Sequence, residues 1–157
     1  MHNILKYNEA DIMKFADCVY QAAIKYKSEA IFVDGGGVGG GVIDRLRQMG
    51  LEVFEINFGG KTSDQYKDRC SLLGDEMWQK MKDWLEHADI VQDSDLESEL
   101  TTREYSFDSK QRLKLQRKID MESSPDCADS LALTFGKDIA PKSNYIDLSN
   151  YEITTPY

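Results

Sequence analysis

The sequence is poor in the residues on which much hydrolytic chemistry depends. Only two histidines occur in its 157 residues, His2 and His87. His2 stands at the terminus, and His87 lies in "WLEHADI", near the end of a candidate helix, where a cation balances the helix dipole. Histidine is therefore too scarce for most hydrolytic machinery. The three cysteines, Cys18, Cys70 and Cys127, are odd in number and widely spaced, with no CxxC pair. Neither a zinc site nor a disulfide framework is indicated, and a reducing, cytoplasmic setting follows. Positive charge is in deficit, with 19 Lys and Arg against 28 Asp and Glu and a net charge of −9. That balance opposes binding of DNA through its backbone alone. It leaves room for an acidic cleft in which a metal ion supplies the positive charge. No basic leader with an apolar core opens the chain, and no apolar run approaches membrane-spanning length, so nothing signals secretion or insertion.

What is present reads as a soluble α/β domain. Residues 8–27 place Ile12, Phe15, Ala16, Val19, Tyr20 and Ala23 at helical spacing, with Asn8 and Asp11 as a capping pair. "AIFVD" (30–34) has the nearly all-apolar character of a buried strand. A helix follows over 39–49, closed by Gly50, and a second strand over 51–58. Strand, helix, strand is one parallel crossover unit. Residues 75–88 form an amphipathic helix whose stripe of Met77, Trp78, Met81, Trp84 and Leu85 is core. A hairpin is expected with strands near 103–107 and 111–116. The final helix opens with Ser124 at its N-cap and Pro125 at its first position, and runs into Leu131–Phe135. Residues 1–137 then form the domain, and 138–157, with Pro141 and Pro156, form a polar tail. Two parallel strands and a hairpin leave "AIFVD" too apolar for an open edge. The hairpin, a second chain or a further strand should pair with it.

The glycine-rich loop after "AIFVD" satisfies a dinucleotide fingerprint through Gly35, Gly37 and Gly40, with Glu55 twenty residues beyond the first. Asp34 immediately before it would repel a pyrophosphate, and no further series of strand–helix units follows. A P-loop is excluded because no Lys-Ser/Thr follows the glycines, and no Walker A sequence occurs elsewhere. A nucleotide-binding module using the Gly35–Gly41 loop remains one alternative, and a flexible strand-to-helix turn another. The third reading concerns carboxylates. Asp34 ends a parallel strand, where α/β proteins place their chemistry. Asp126 and Asp129 sit at i and i+3 in the first turn of the last helix. The default for Asp126 is a dipole and capping residue. If that turn packs beside Asp34, three hard oxygen ligands converge, and these suit Mg²⁺ or Mn²⁺.

Five blocks in order, from about residue 10 to 136, carry a resemblance: "IFVDGGGVGGGVIDRLRQMG", "VFEINFGGK", "EMWQKMKDWL", "ELTTREYSFDSKQRLKLQRKIDM" and "SPDCADSLALTF". Together they resemble the C-terminal nuclease domain of the large terminase subunit of headful-packaging tailed phages. The resemblance implies an RNase H-like fold that lacks its opening strands. It also implies metal-dependent endonucleolytic cutting of concatemeric viral DNA during packaging. Asp34 matches the family's second metal-binding carboxylate and Asp129 its third, with Asp126 as a neighbouring ligand or support. Two Mg²⁺ or Mn²⁺ ions would be held there, with Gly35, Gly36, Gly37, Lys61 and Lys118 close to the DNA. The family's first carboxylate lies on an opening strand with no counterpart here, so activity is expected to need an upstream portion or partner. Implied partners are double-stranded DNA, the terminase ATPase portion, the portal and the small terminase subunit, in the host cytoplasm. The alternative within the same resemblance is a catalytically silent remnant or a packaging accessory.

Overall fold

Alternation along two short apolar runs decides the centre of the molecule. The computed structural model describes residues 3–37 and 39–139. Strand β1 (Ile31–Asp34) and strand β2 (Val53–Ile56) pair in parallel, with Ile31 opposite Val53 and Asp34 opposite Ile56. Because side chains alternate across a strand, Ile31, Val33 and Val53 share one face, and Phe32, Phe54 and Ile56 the other. Helix α1 (Ile12–Tyr26) and helix α2 (Gly39–Gln48) cover the first face, burying Ala16, Val42, Ile43 and Leu46 against it. The second face packs on helices α3 (Leu73–Leu85), α4 (Ser94–Thr102) and α5 (Asp126–Leu133) through Met77, Trp78, Met81, Leu96, Ala128 and Leu131. The result is the expected α/β layering, and Asp34 falls on the face that carries α5.

Several details differ from the sequence reading. Helix α1 begins later, capped by Asp11, whose carboxylate accepts from the amides of Met13 and Lys14, and Asn8 lies outside it. Helix α4 was not anticipated. Asp93 caps it by accepting from the amides of Asp95 and Leu96. At α5 the capping position belongs to Pro125, and the Ser124 hydroxyl donates to Asp126 instead of capping the backbone. Glu99 of α4 accepts from the Ala128 amide at 2.7 Å and so supplies the negative charge that the start of α5 favours. The hairpin forms, with shorter strands β3 (Tyr105–Phe107) and β4 (Leu113–Leu115). It does not fold back on β1. It makes a separate two-stranded sheet, linked to the β2–α3 loop by a bridge between Cys70 and Leu113. Residues 31–34 are accordingly half-buried, and among the described residues β1 pairs with β2 alone. The tail beyond Ile139, with Pro141 and Pro156, lies outside the described residues.

Two adjacent carboxylates at the start of α3 fix the segments on either side of it. Asp75 accepts from the amides of Leu72 and, across the fold, Leu115. Glu76 is 1% exposed and receives the Ser63 amide, the Ser63 hydroxyl and, at 2.8 Å, the Lys80 ammonium. Burial pushes the Glu76 carboxyl up, but the donors of Lys80 and Ser63 outweigh it and hold the group below its ordinary value. A carboxyl depressed in the folded state stabilises above its unfolded value of 4.5 and loses that contribution as pH falls below it. Glu76→Gln should lower the unfolding free energy by about 2 kcal/mol near neutral pH. In urea titrations the deficit should shrink as the pH is lowered through 4.5 and below.

The glycines yield a second test. A Cβ at Gly39 would collide with the carbonyl oxygen of Asp34, whereas one at Gly40 meets nothing. Gly39→Ala should destabilise by roughly 1–3 kcal/mol through overpacking. Gly40→Ala should be neutral or stabilising by up to about 1 kcal/mol, because alanine is the better helix former. Thermal unfolding of the two variants checks both.

Candidate metal centre

The Asp34 side chain turns back on its own loop. Its Oδ1 accepts the Gly36 amide at 3.0 Å, an Asx turn that pins the carboxylate at the end of β1. Gly37, with φ of +59°, takes the left-handed conformation that lets the chain swing into α2. The Gly35 amide donates to Ile56 and that of Gly39 to Gly36. Three amides of a prospective phosphate cradle are thus already engaged within the protein. The carboxyl group of Glu55 lies against Gly35, so carboxylates flank the strand end on both faces. That surrounding suits a cation better than a pyrophosphate.

Asp129 is placed differently. It lies on the inner side of α5 and is 5% exposed. The indole Nε1–H of Trp78 donates to its Oδ1 at 2.7 Å, and the Arg103 guanidinium donates to the same oxygen at 2.9 Å. Arg103 is itself held: Nε and Nη2 donate to the Gln116 carbonyl, and the guanidinium lies over the Trp78 ring at 4.5 Å. The Lys118 ammonium comes within 2.7 Å of Oδ2. That approach is an ion pair without hydrogen-bond geometry, so the buried Oδ2 accepts no hydrogen bond among the described residues. The two cations differ in freedom. The Arg103 side chain is 7% exposed and fixed, while that of Lys118 is 44% exposed, with its other side against the Phe58 ring.

The other sequence-derived residues fall outside this arrangement. Asp126 is exposed and accepts from Ser124, so the i, i+3 spacing separates a buried carboxylate from a solvated one. Lys61 is exposed on the β2–α3 loop, two residues from Ser63, which Glu76 anchors. Among the described residues no three His, Cys, Asp or Glu side chains gather closely enough to enclose a metal ion, so the convergence of all three aspartates is not seen. Asp34 at the end of β1 and Asp129 on the helix packed against that face nevertheless suit a divalent cation in donor chemistry, being hard oxygens, and Oδ2 of Asp129 is buried without a hydrogen bond among the described residues. Trp78, Arg103 and α4 were missed as contributors. Trp78 was visible only as part of an apolar stripe, and its N–H is silent in that pattern.

No family model matches the chain, and no curated protein matches it. Solved structures do. The chain aligns with a lysine-to-alanine variant of the nuclease domain of the large terminase subunit of bacterial virus Sf6, with manganese and beta-thujaplicinol, at a TM-score of 0.69 and 18% identity. That alignment covers 84% of this chain and 75% of the other. The unsubstituted Sf6 domain aligns at a TM-score of 0.65 and 20% identity, covering 83% and 74%. A variant with calcium aligns at 0.63 and 20%, covering 80% and 72%. The chain therefore has the fold of a phage terminase nuclease domain, an RNase H-like fold.

Proposed function

We propose that the chain is the nuclease portion of a phage DNA-packaging terminase, cutting concatemeric double-stranded DNA with divalent metal ions. What supports this is the division of labour at Asp129 within a fold shared with a manganese-bound nuclease domain. One oxygen is locked by Trp78 and Arg103, and the other, buried, is paired with the partly exposed Lys118. Asp34 and Asp129 would hold Mg²⁺ or Mn²⁺, with Asp126 as outer support. When bound, such ions activate water and stabilise the leaving oxygen of a phosphodiester.

The protein's own residues then have distinct tasks. Lys118 neutralises Asp129 at Oδ2, the oxygen that Trp78 and Arg103 leave without a hydrogen bond and that would hold a divalent ion. The partly exposed Lys118 ammonium would also be placed to meet a phosphate. Gly35, Gly36 and Gly37 carry no side chains, so a DNA backbone can approach Asp34. Lys61 adds a further positive charge near the strand ends. In this reading the packaging ATPase, the portal and the small terminase subunit are partners in the cytoplasm of an infected host. No helix among the described residues is long and apolar enough to cross a membrane. A second reading, a catalytically silent packaging protein of the same fold, draws on Arg103 and Lys118 together outweighing the charge of Asp129.

Calorimetric Mn²⁺ titration and plasmid nicking separate the readings. Asp34→Asn and Asp129→Asn should each weaken Mn²⁺ binding by at least about tenfold, and Asp126→Asn by far less. Lys118→Ala should tighten it several-fold by removing the competing charge. Nicking by this chain alone should be weak and lost in Asp34→Asn. Robust cleavage that survives Asp34→Asn would rule out the carboxylate mechanism.

A further inference from the structure

We infer that Trp78, with Arg103 behind it, is a positioning residue for the metal-binding carboxylate, selecting which oxygen of Asp129 meets the cation. This rests on the proposed nuclease reading and deepens it, giving the two donors on Oδ1 a role in metal affinity.

The geometry is specific. Trp78 is 8% exposed and its indole is a donor with no acceptor capacity, so its buried N–H requires an oxygen. It finds Oδ1 of Asp129, 51 residues away in sequence. Arg103 donates to the same oxygen and stacks on the indole that shares it. Two donors on Oδ1 fix the plane of the carboxylate and leave Oδ2, buried and ion-paired with Lys118, as the oxygen without a hydrogen bond among the described residues. A carboxylate free to rotate would offer either oxygen and would have to be ordered on binding, which lowers affinity. Hydrogen bonds to the non-ligating oxygen of a metal-binding carboxylate are a general means of orienting it, and losing one typically weakens binding by 10- to 100-fold. Arg103 also ties this orientation to the hairpin base, since its other nitrogens donate to Gln116, just beyond β4. Trp78 thus serves as core on its ring face and as a site residue at its nitrogen.

The indole is its own reporter. The chain has two tryptophans, Trp78 and Trp84. Trp84 packs edge-on against Phe135 instead of against Asp129. In a Trp84→Phe background, Mn²⁺ should quench the emission of Trp78, with a midpoint that matches the calorimetric Kd. In the otherwise unaltered protein, Trp78→Phe keeps an aromatic ring but removes the donor, and should raise the Mn²⁺ Kd roughly tenfold. Arg103→Lys keeps the charge but loses the fork to Gln116, and should shift Kd in the same direction. A merely structural role would lower Tm in both variants and leave the Kd of folded protein unchanged. That outcome, with Asp129→Asn abolishing binding, overturns the inference while the nuclease reading stands. Binding that survives Asp129→Asn overturns the reading itself. If Trp78→Phe does not fold, Arg103→Lys and the quenching titration decide. An emission that stays constant through saturating Mn²⁺ overturns the inference.

Discussion

A buried negative charge organises the second half of this chain. Placing the Asp129 carboxylate inside the protein carries a desolvation penalty of several kcal/mol unless cations and donors surround it. The surrounding groups come from three separate segments: Trp78 on α3, Arg103 at the α4–β3 junction, and Lys118 in the turn after β4. Each of those segments is therefore tied to α5 by the same requirement. The hairpin, which shares no sheet with β1, is still fixed to the core because Arg103 holds Gln116 at its base. Asp75 adds a second tie to that base through the Leu115 amide.

The opposite face is built on different physics. There α1 and α2 pack on β1 and β2 through Val, Ile, Leu and Ala, and no carboxylate is buried on that face among the described residues. Close backbone approach takes over where those helices meet the strand end: Gly39 leaves no room for a Cβ beside the Asp34 carbonyl. The carboxylate of Asp34 is held by the backbone of its own loop, and that of Asp129 by side chains distant in sequence. One is partly exposed and the other is buried. A metal ion joining them would link the glycine loop to the α5 cluster.

Local chemistry made much of this legible. The parallel pair, its crossover helix, the amphipathic α3, the hairpin and α5 follow from periodicity and turn residues within short windows. Helix α4 escaped because "SDLESELTT" turns only Leu96 and Leu100 inward, too thin a stripe to stand out, although Asp93 was a readable cap. The start of α1 was misplaced because Asn8 and Asp11 are equally good caps by residue type. Asp34 and Asp129 stand out in the sequence, one at a strand end and one beside an apolar run, and the fold places the first half-buried and the second buried. Their partners were not found, since Trp78, Arg103 and Lys118 meet Asp129 only after the chain has folded. The same holds for Asp126: i, i+3 spacing sets an approximate side of a helix, but packing decided that Asp129 is buried and Asp126 solvated. The glycine fingerprint, kept as an alternative reading, shows the same limit of local pattern. Its amides are bonded to Asp34, Ile56 and Gly36, which a pattern of glycines does not reveal.

The most direct measurement is diffraction from crystals grown with Mn²⁺, recorded at the manganese absorption edge. The expected result is an anomalous peak bonded to Oδ2 of Asp129 and to Asp34. Lys118 should be displaced, with Trp78 and Arg103 still on Oδ1. A saturated crystal in which Lys118 remains paired with Asp129 and manganese lies elsewhere would contradict it.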